Sequence, residues 1–428
     1  MKKLLIIFFT FIFHELSAED NLKFYLNKAI ENNLQLNAER KSLESTKQQK
    51  NINKSEFLPS ITISGEQTST TSTGRVSQSG AKLSDTNLDS ENKTISIEQK
   101  IFSGFKGLNT FKKSELETQK ANLELKAAEQ KTMLDAAFAY YDLIYKTNNE
   151  KFNILNVNLF ERQVEFDNAR VQKGEITLTD LAQSESSLAG ANANLIKAKT
   201  ELLSSITNFE RVTREKAPKI ENLNGKVILE LPNSLKIALD ISNQNNISFL
   251  IAQLNYEIAI KELKIERARF SPSASIKVSK SEERDFSSTV DEKDDESLKA
   301  SITWPIIKGG ENISSVKKSA FDKQRAKLLL QDTKNRITTE TSNSWSEYQS
   351  SKGVLEATSA QLKAAEIANE GITLEYDSGN TRTTLEVIQS RSLLLDARIA
   401  FAKAERDFMI SQFELAKQLG TLSNQTVK

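Results

Sequence analysis

Few residues in this sequence could carry out chemistry. Its 428 residues include no cysteine and one histidine, His14, which lies in a segment that we expect to be removed. Without thiolate or imidazole, only carboxylate-based chemistry stays open. The densest carboxylate group is Asp291, Asp294, Asp295 and Glu296. Because these residues crowd a polar stretch that also contains lysine, we interpret them as a solvated hairpin tip. We therefore predict no catalytic residues, no enzyme activity, no metal and no cofactor.

The N-terminus carries the pattern of a secretory signal peptide. Two lysines precede an apolar run over residues 4–13, and the small residues Ser17 and Ala18 follow. The apolar run is about ten residues, shorter than the roughly twenty that a membrane-spanning helix needs. We expect cleavage after residue 18 and export of the mature chain.

Charge and hydropathy restrict the classes of partner. The formal net charge is +1 and no block rich in lysine or arginine stands out, so we expect no nucleic-acid partner. After residue 18 there is no long uncharged apolar stretch, which disfavours a helical inner-membrane protein. If the chain spans a membrane, it must do so with β-strands, because only helices and closed barrels satisfy their backbone groups in lipid.

The chain contains an internal repeat. Nine residues between Leu22 and Ile63 are matched by the same residue type 213 positions later, between Leu235 and Ile276. Further along, Gly104 and its neighbours recur with a shift of 205 positions. The shift changes within a stretch rich in Ser, Thr, Gly and Asp, where a loop can change length at little cost. We infer one duplicated unit with a variable hairpin tip.

Each half begins with helix and continues into a β-hairpin. The helix is predicted to end before Pro59 in the first half and before Pro272 in the second, because proline pushes the preceding residue out of the α region. Two runs with the period-two alternation of strands follow, which places hairpins at about 60–103 and 273–308. The polar stretches 67–91 and 281–296 are interpreted as the hairpin loops.

A long helical segment follows each hairpin. After a glycine, about seventy residues pass without proline and are rich in Ala, Leu, Lys, Glu and Gln, enough for one helix of roughly 105 Å. Apolar residues spaced at three or four, such as Leu134, Phe138 and Tyr141, give a seam for packing against neighbouring helices. On periodicity alone, a plain coiled-coil rod is the expected structure.

The hairpins argue against a plain rod. Four strands cannot close a membrane barrel, because the smallest barrels need about eight and lipid does not tolerate open strand edges. The hairpins must then combine with those of other chains, or form the soluble head of an exported structural or adhesive coiled-coil protein without a pore. Apolar residues at alternate positions from Leu298 to Ile306 favour the barrel.

The duplicated pattern resembles the TolC family of outer-membrane factors over nearly the whole mature chain. The most specific segments, 174–181 and 376–387, lie at the far ends of the long helices. They are similar to the family's G-x-x-x-[IL]-T-D and Y-x-x-G-T-R-T turn patterns. The resemblance implies a mainly α protein with a small β component, in which a trimer forms a twelve-stranded transmembrane β-barrel and a long α-helical barrel.

The resemblance also implies a function and a set of partners. It implies a channel of the cell outer membrane that spans into the periplasm and acts as the exit duct of a tripartite efflux pump or a type I secretion system. The implied partners are two further copies of the chain in a homotrimer, a periplasmic adaptor (membrane fusion) protein, an inner-membrane transporter and outer-membrane lipid.

In the family, the helix-to-helix turns form a gate at the periplasmic end. Matched to the turn patterns, the gate residues here are Thr179, Asp180, Tyr376, Arg382, Glu386 and Gln389, with turn glycines Gly174 and Gly379. The resemblance implies that Arg382 bonds toward Thr179 and Asp180, and that Tyr376 bonds toward Asp180. Glu386 and Gln389 fall on positions that are acidic rings in the family. One ring is therefore uncharged here, which predicts a weaker preference for cations.

Aromatic residues bracket the strands, and two interpretations of them stay open. They are Phe57, Phe102, Phe270 and Trp304. They could form an interfacial belt at headgroup depth, or they could pack a core where strand meets helix.

The predicted organisation has five segments. They are a signal peptide at 1–18, a first repeat at 19–216 with its turn near 174–180, a linker or equatorial segment at 217–233, a second repeat at 234–422 with its turn near 376–386, and a C-terminal tail at 423–428.

Overall fold

The computed structural model describes residues 22–218, 229–287, 290–378 and 382–423. The expected signal peptide lies outside these ranges, as do most of the linker segment and most of the tail. The described chain is mostly helical with one small antiparallel sheet, as the sequence predicts.

The helices and strands follow the same order in both halves of the chain. The first half contains α1 (Leu22–Asn32), α2 (Leu34–Lys54), β1 (Ser60–Ser72), β2 (Thr86–Phe102), α3 (Lys106–Gln172) and α4 (Leu178–Thr213). The second half contains α5 (Leu235–Asn245), α6 (Ile247–Arg267), β3 (Ser273–Ser287), β4 (Val290–Thr303), α7 (Glu311–Asp377) and α8 (Thr384–Gln418). Because α3 and α7 are each unbroken over 67 residues, the prediction of a continuous helix after each hairpin is confirmed. In the described ranges, none of the helices combines the length and the apolar character that a membrane crossing requires.

Proline ends the helix before each hairpin. α2 passes into a 3-10 turn at Ser55–Phe57, and Leu58 is then extended with φ −108° and ψ 152°. In the second half the turn lies at Ala268–Phe270, and Ser271 is extended with φ −89° and ψ 151°. A proline follows each of these extended residues, and its ring excludes the helical conformation there.

The four described strands form an antiparallel meander in the order β1-β2-β3-β4. Strand pairing brings Ile61, Ile97, Val278 and Leu298 into one row. Paired residues lie on the same face of a sheet, so this face is apolar at that level while the alternate positions form a polar face. Among the described residues, β1 and β4 each pair with one strand, which leaves each with an open edge.

The strands are longer than the sequence predicts. β1 continues to Ser72 and β2 begins at Thr86, while β3 and β4 are separated by only two residues. The interpretation of 67–91 as a loop holds only for residues 73–85, which connect β1 and β2, and the interpretation of 281–296 as a loop was wrong for the parts that belong to β3 and β4. The acidic residues lie in β4 and not in a hairpin tip: Asp291, Asp294, Asp295 and Glu296. Polar side chains do not prevent this pairing, because the backbone ladder holds the strands while both faces stay hydrated.

The described residues pack as two compact units. The helical unit lies within 22–37, 127–246 and 337–423. Its core contains Leu22, Tyr140, Phe209 and Phe413, which are all 0% exposed. The sheet unit lies within 38–126 and 247–336 and contains the four strands.

Gly104 fixes the junction between β2 and α3 in the sheet unit. It has φ +63°, a left-handed conformation that L side chains rarely adopt. A Cβ at this position would collide with the Ser271 side chain and press on the carbonyl oxygen of Ala268. Only glycine therefore allows the end of β2 to approach the start of β3 this closely.

Candidate functional site

The turn between α3 and α4 is held by bonds within its own helix end. Gly174 has φ +74°. The Asp180 carboxylate accepts hydrogen bonds from the Thr177 backbone N–H at 3.0 Å and from the Thr177 hydroxyl at 2.7 Å. These bonds, the hydroxyl first and then the backbone, lower the pKa of Asp180. Asp180 thus caps α4, and Thr179 beside it is exposed.

The turn between α7 and α8 is capped in the same way. The Glu386 carboxylate accepts from the Thr383 backbone N–H at 2.7 Å and from its hydroxyl at 3.0 Å. Arg382 donates to Glu386 at 3.0 Å and to Glu375 at 2.6 Å. The pKa of Glu386 is lowered, first by the Thr383 backbone N–H and then by Arg382. Gln389 is exposed, and Gly379 lies outside the described residues.

Tyr376 is part of a buried polar cluster that we did not predict from the sequence. Its hydroxyl donates to Asp167 Oδ1 at 3.0 Å and accepts from Arg170 at 2.8 Å. Thr384, at the start of α8, shares a further hydrogen bond with it at 3.0 Å. Tyr376 is 6% exposed and Asp167 is 0% exposed. Burial raises the pKa of the Tyr376 hydroxyl, which therefore stays protonated as a donor.

The cluster joins all four helices of the two turns. The second oxygen of Asp167 on α3 accepts from Ser184 on α4 at 2.5 Å. Gln163 on α3 donates to Asp167 at 2.9 Å and accepts from Arg391 on α8 at 3.0 Å. Burial lowers the pKa of the Arg391 guanidinium, but an arginine stays charged in proteins. Because unpaired polar groups are costly at such depth, these bonds tie the helix pair α3/α4 to the helix pair α7/α8.

The partners within the chain differ from those that the sequence resemblance implied. Tyr376 bonds Asp167 and not Asp180, whose carboxylate accepts from the backbone N–H and the hydroxyl of Thr177 at the start of α4. Arg382 bonds Glu375 and Glu386, and not Thr179 or Asp180. The family pattern identified the turn residues but not the buried cluster around Asp167.

A sequence signal for the cluster does exist. Gln163, Asp167 and Arg170 are spaced by four and then three residues, which places them on one face of α3. Polar residues at core spacing next to a helix turn indicate a buried hydrogen-bonding network.

The aromatic residues next to the strands are partly exposed in the chain. The exposed fraction is 48% for Phe57, 38% for Phe102, 42% for Phe270 and 61% for Trp304. The Trp304 indole N–H donates to the backbone oxygen of Phe270 at 2.9 Å. The ring of Trp304 is therefore exposed while its indole N–H is hydrogen-bonded.

Comparison with known proteins gives the family. The family described as outer membrane efflux protein matches residues 25–213 and 238–421. The chain belongs to the outer membrane efflux protein family. The two matched segments leave out the region around the linker, and each includes one hairpin and one helix turn.

Individual efflux proteins show the same relationship along the chain. This chain is 24% identical over 400 residues to the outer membrane efflux protein BepC of Brucella suis, and the alignment covers 93% of this chain and 85% of BepC. It is 23% identical to the outer membrane protein TolC of Vibrio cholerae, covering 100% of this chain and 97% of that protein.

A solved structure shows the same fold. The CmeC outer membrane channel of Campylobacter jejuni superposes with a TM-score of 0.81 at 16% identity, covering 94% of this chain and 85% of CmeC. Membership of the efflux family places this chain in the cell outer membrane, extending into the periplasm, as a transport channel protein.

Proposed function

We propose that three copies of this chain close one transmembrane barrel. The observation that carries the proposal is the sheet: four strands with an apolar row, Ile61, Ile97, Val278 and Leu298, and an open edge on each side. Lipid does not tolerate open edges, and twelve strands exceed the roughly eight that the smallest membrane barrels need. The equal order of elements in the two halves supports an internal repeat, which would give each chain two similar contributions to the barrel.

We further propose that the channel is the exit duct of a tripartite efflux pump or type I secretion system. An inner-membrane transporter would supply the energy and a periplasmic adaptor protein would engage the helices. The channel itself would have no catalytic role. Phe57, Phe102, Phe270 and Trp304 would contact outer-membrane lipid at headgroup depth, since they are partly exposed in the chain and Trp304 has its indole N–H satisfied.

The turn end is proposed as the gate of this duct. The gate set from the sequence (Thr179, Asp180, Tyr376, Arg382, Glu386 and Gln389) is extended by the cluster around Asp167. Opening would move α7/α8 away from α3/α4 and break the bonds of Tyr376 with Asp167 and Arg170. Hydrogen bonds in a buried network strengthen one another, and each group left unpaired is costly, which suits a two-state closure.

Conductance of the purified protein in a planar bilayer tests both parts. We expect a trimer in mild detergent and a small conductance that rises several-fold in Tyr376→Phe, because the variant removes the shared hydroxyl and keeps the ring. Tyr256→Phe is the matched control, because the Tyr256 hydroxyl makes no bond in the described part of the chain.

The outcomes separate the pore from the gate. Equal conductance in wild type and Tyr376→Phe would remove the gate assignment and leave the pore. A wild-type protein that forms no pore and stays dispersed in plain buffer would instead support the alternative, an exported coiled-coil protein without a channel.

A further inference from the structure

Two lysines in the sheet unit face each other directly. In the register of β3 and β4, Lys277 is the partner of Lys299. Like charges directly opposite on neighbouring strands destabilise a sheet. The pairing therefore lowers the stability of the sheet, which points to a functional role for the two lysines.

The register fixes the face on which these lysines lie. Their neighbours in sequence, Val278 and Leu298, are partners in the apolar row. Since side chains alternate between the two faces, Lys277 and Lys299 lie on the opposite, polar face. The row continues on that face through Glu98 and Ser60.

The two lysines differ from the other lysines of the strands in having no carboxylate partner among the described residues. Ion pairs within 4.0 Å join Lys93 to Glu91, Lys100 to Glu56, Lys280 to Glu282 and Lys293 to Asp295. In the part of the chain that the structure describes, Lys277 and Lys299 form no ion pair, not even with Glu98 across the ladder. Their charges are therefore available to interact with solvent or solutes beside the polar face.

One of the two rows next to Lys277 and Lys299 on the polar face is uncharged. It contains Thr62, Ser96, Ser279 and Ser297, and the hydroxyls of Ser279 and Ser297 are 2.8 Å apart. Hydroxyls add no charge that would cancel the field of the two lysines. The row on the other side contains Lys100, whose ammonium pairs with Glu56 at 3.9 Å, so among the described lysines at these three levels the unpaired charges are those of Lys277 and Lys299.

We propose that Lys277 and Lys299 form a lysine ring inside the pore that favours the passage of small anionic solutes, such as carboxylates and phosphates. The inference rests on the proposed trimeric barrel, in which the apolar face meets lipid and the polar face lines the lumen. Three copies would place six lysines and three glutamates at one level of the lumen. Rings of like charge in a water-filled pore raise the local concentration of counter-ions and set its selectivity.

The reversal potential in a gradient of KCl tests the ring. In K277Q/K299Q we expect the permeability ratio of chloride to potassium to fall about threefold, as the local anion concentration falls. The control K93Q/K280Q removes the same charge from the apolar-side positions of neighbouring strands, and we expect its ratio to match wild type. K277R/K299R keeps the charge and should also match wild type.

A measurement on the unmodified protein complements the variants. The chloride preference of wild type should be larger in roughly 0.05 M than in about 1 M KCl, because salt screens the ring. An unchanged ratio in K277Q/K299Q with intact conductance, or an equal shift in the control, would overturn the ring and leave the channel standing. Absence of any wild-type conductance would overturn the channel, and the ring with it.

Discussion

Asp167 shows how much can depend on one buried carboxylate. It is 0% exposed, and its two oxygens accept from Gln163, Tyr376 and Ser184. The sequence alone pointed to Asp180, because the family pattern marks the exposed turn. A buried polar partner is set by the packing of four helices, and no local pattern in one helix specifies which residue of another will reach it.

Removing one donor to Asp167 should destabilise the helical unit. In Ser184→Ala the Oδ2 oxygen loses its bond while it remains buried, so we expect a loss of about 1–3 kcal/mol in the free energy of unfolding. Thermal unfolding in detergent measures it. Ser187→Ala is the control, since Ser187 is only partly buried and its hydroxyl donates to the Gln183 carbonyl oxygen of its own helix. Equal stability of the two variants would contradict the importance of the cluster.

The cap of α8 should weaken in acid. Because the pKa of Glu386 is lowered below the ordinary 4.5 by the Thr383 N–H and by Arg382, the carboxylate stabilises the turn above that value. This contribution is lost as the pH falls through the lowered pKa. Amide exchange in the first turn of α8, corrected for intrinsic rates, should therefore accelerate below pH 4.5. Glu386→Gln should show faster exchange already at neutral pH and little further change in acid.

At the scale of helices and strands, the ends of helices were predictable and the ends of strands were not. Pro59 and Pro272 act on the residue directly before them, so the sequence alone locates the helix ends. The outer parts of the strands contain Thr, Ser, Glu and Asp on both faces, which gives no hydrophobic alternation. These outer parts pair because the backbone hydrogen-bond ladder continues outward from the apolar rows. A short stretch of sequence therefore does not reveal the pairing.

Gly104 gives a test at this scale. Gly104→Ala should cost about 1–2 kcal/mol for the left-handed conformation, and a further 1–3 kcal/mol or so for the collision with Ser271. Gly309→Ala is the matched control from the second half, because Gly309 has φ +54° but nothing within 4 Å of the added Cβ. The two variants should differ in unfolding midpoint by the cost of the collision alone. Equal midpoints would show that Ser271 moves away freely.

At the scale of the whole molecule, an added charge should destabilise the barrel on the apolar face of the sheet and be tolerated on the polar face. Leu298 lies on the apolar face and is 75% exposed in the chain, while Ser297 beside it lies on the polar face. In the proposed barrel, Leu298→Lys places a charge in lipid and should cost about 2–4 kcal/mol per copy. Ser297→Lys places it in the lumen and should be tolerated. Urea titration of refolding into lipid vesicles measures both, and similar costs would show that neither face meets lipid.

The family and the mostly helical fold could be predicted because they depend on patterns repeated along the chain. A hairpin, a glycine after it and a turn motif between the long helices each occur once in each half. The lysine row could not be predicted in this way, because Lys277 and Lys299 become partners only through the register of β3 and β4. Register depends on the whole ladder of pairs and not on the lysines themselves.

The pairing of β2 with β3 sets an order of events during synthesis. Asn92 of β2 bonds Glu283 of β3, a residue 191 positions later in the chain. The first hairpin therefore leaves the ribosome long before its central neighbour exists, and both of its edges stay available to other strands in the interval. Such a delay invites aggregation, because contacts of high sequence separation form slowly. We expect this protein to need a chaperone that shields the first hairpin until the second has crossed the inner membrane.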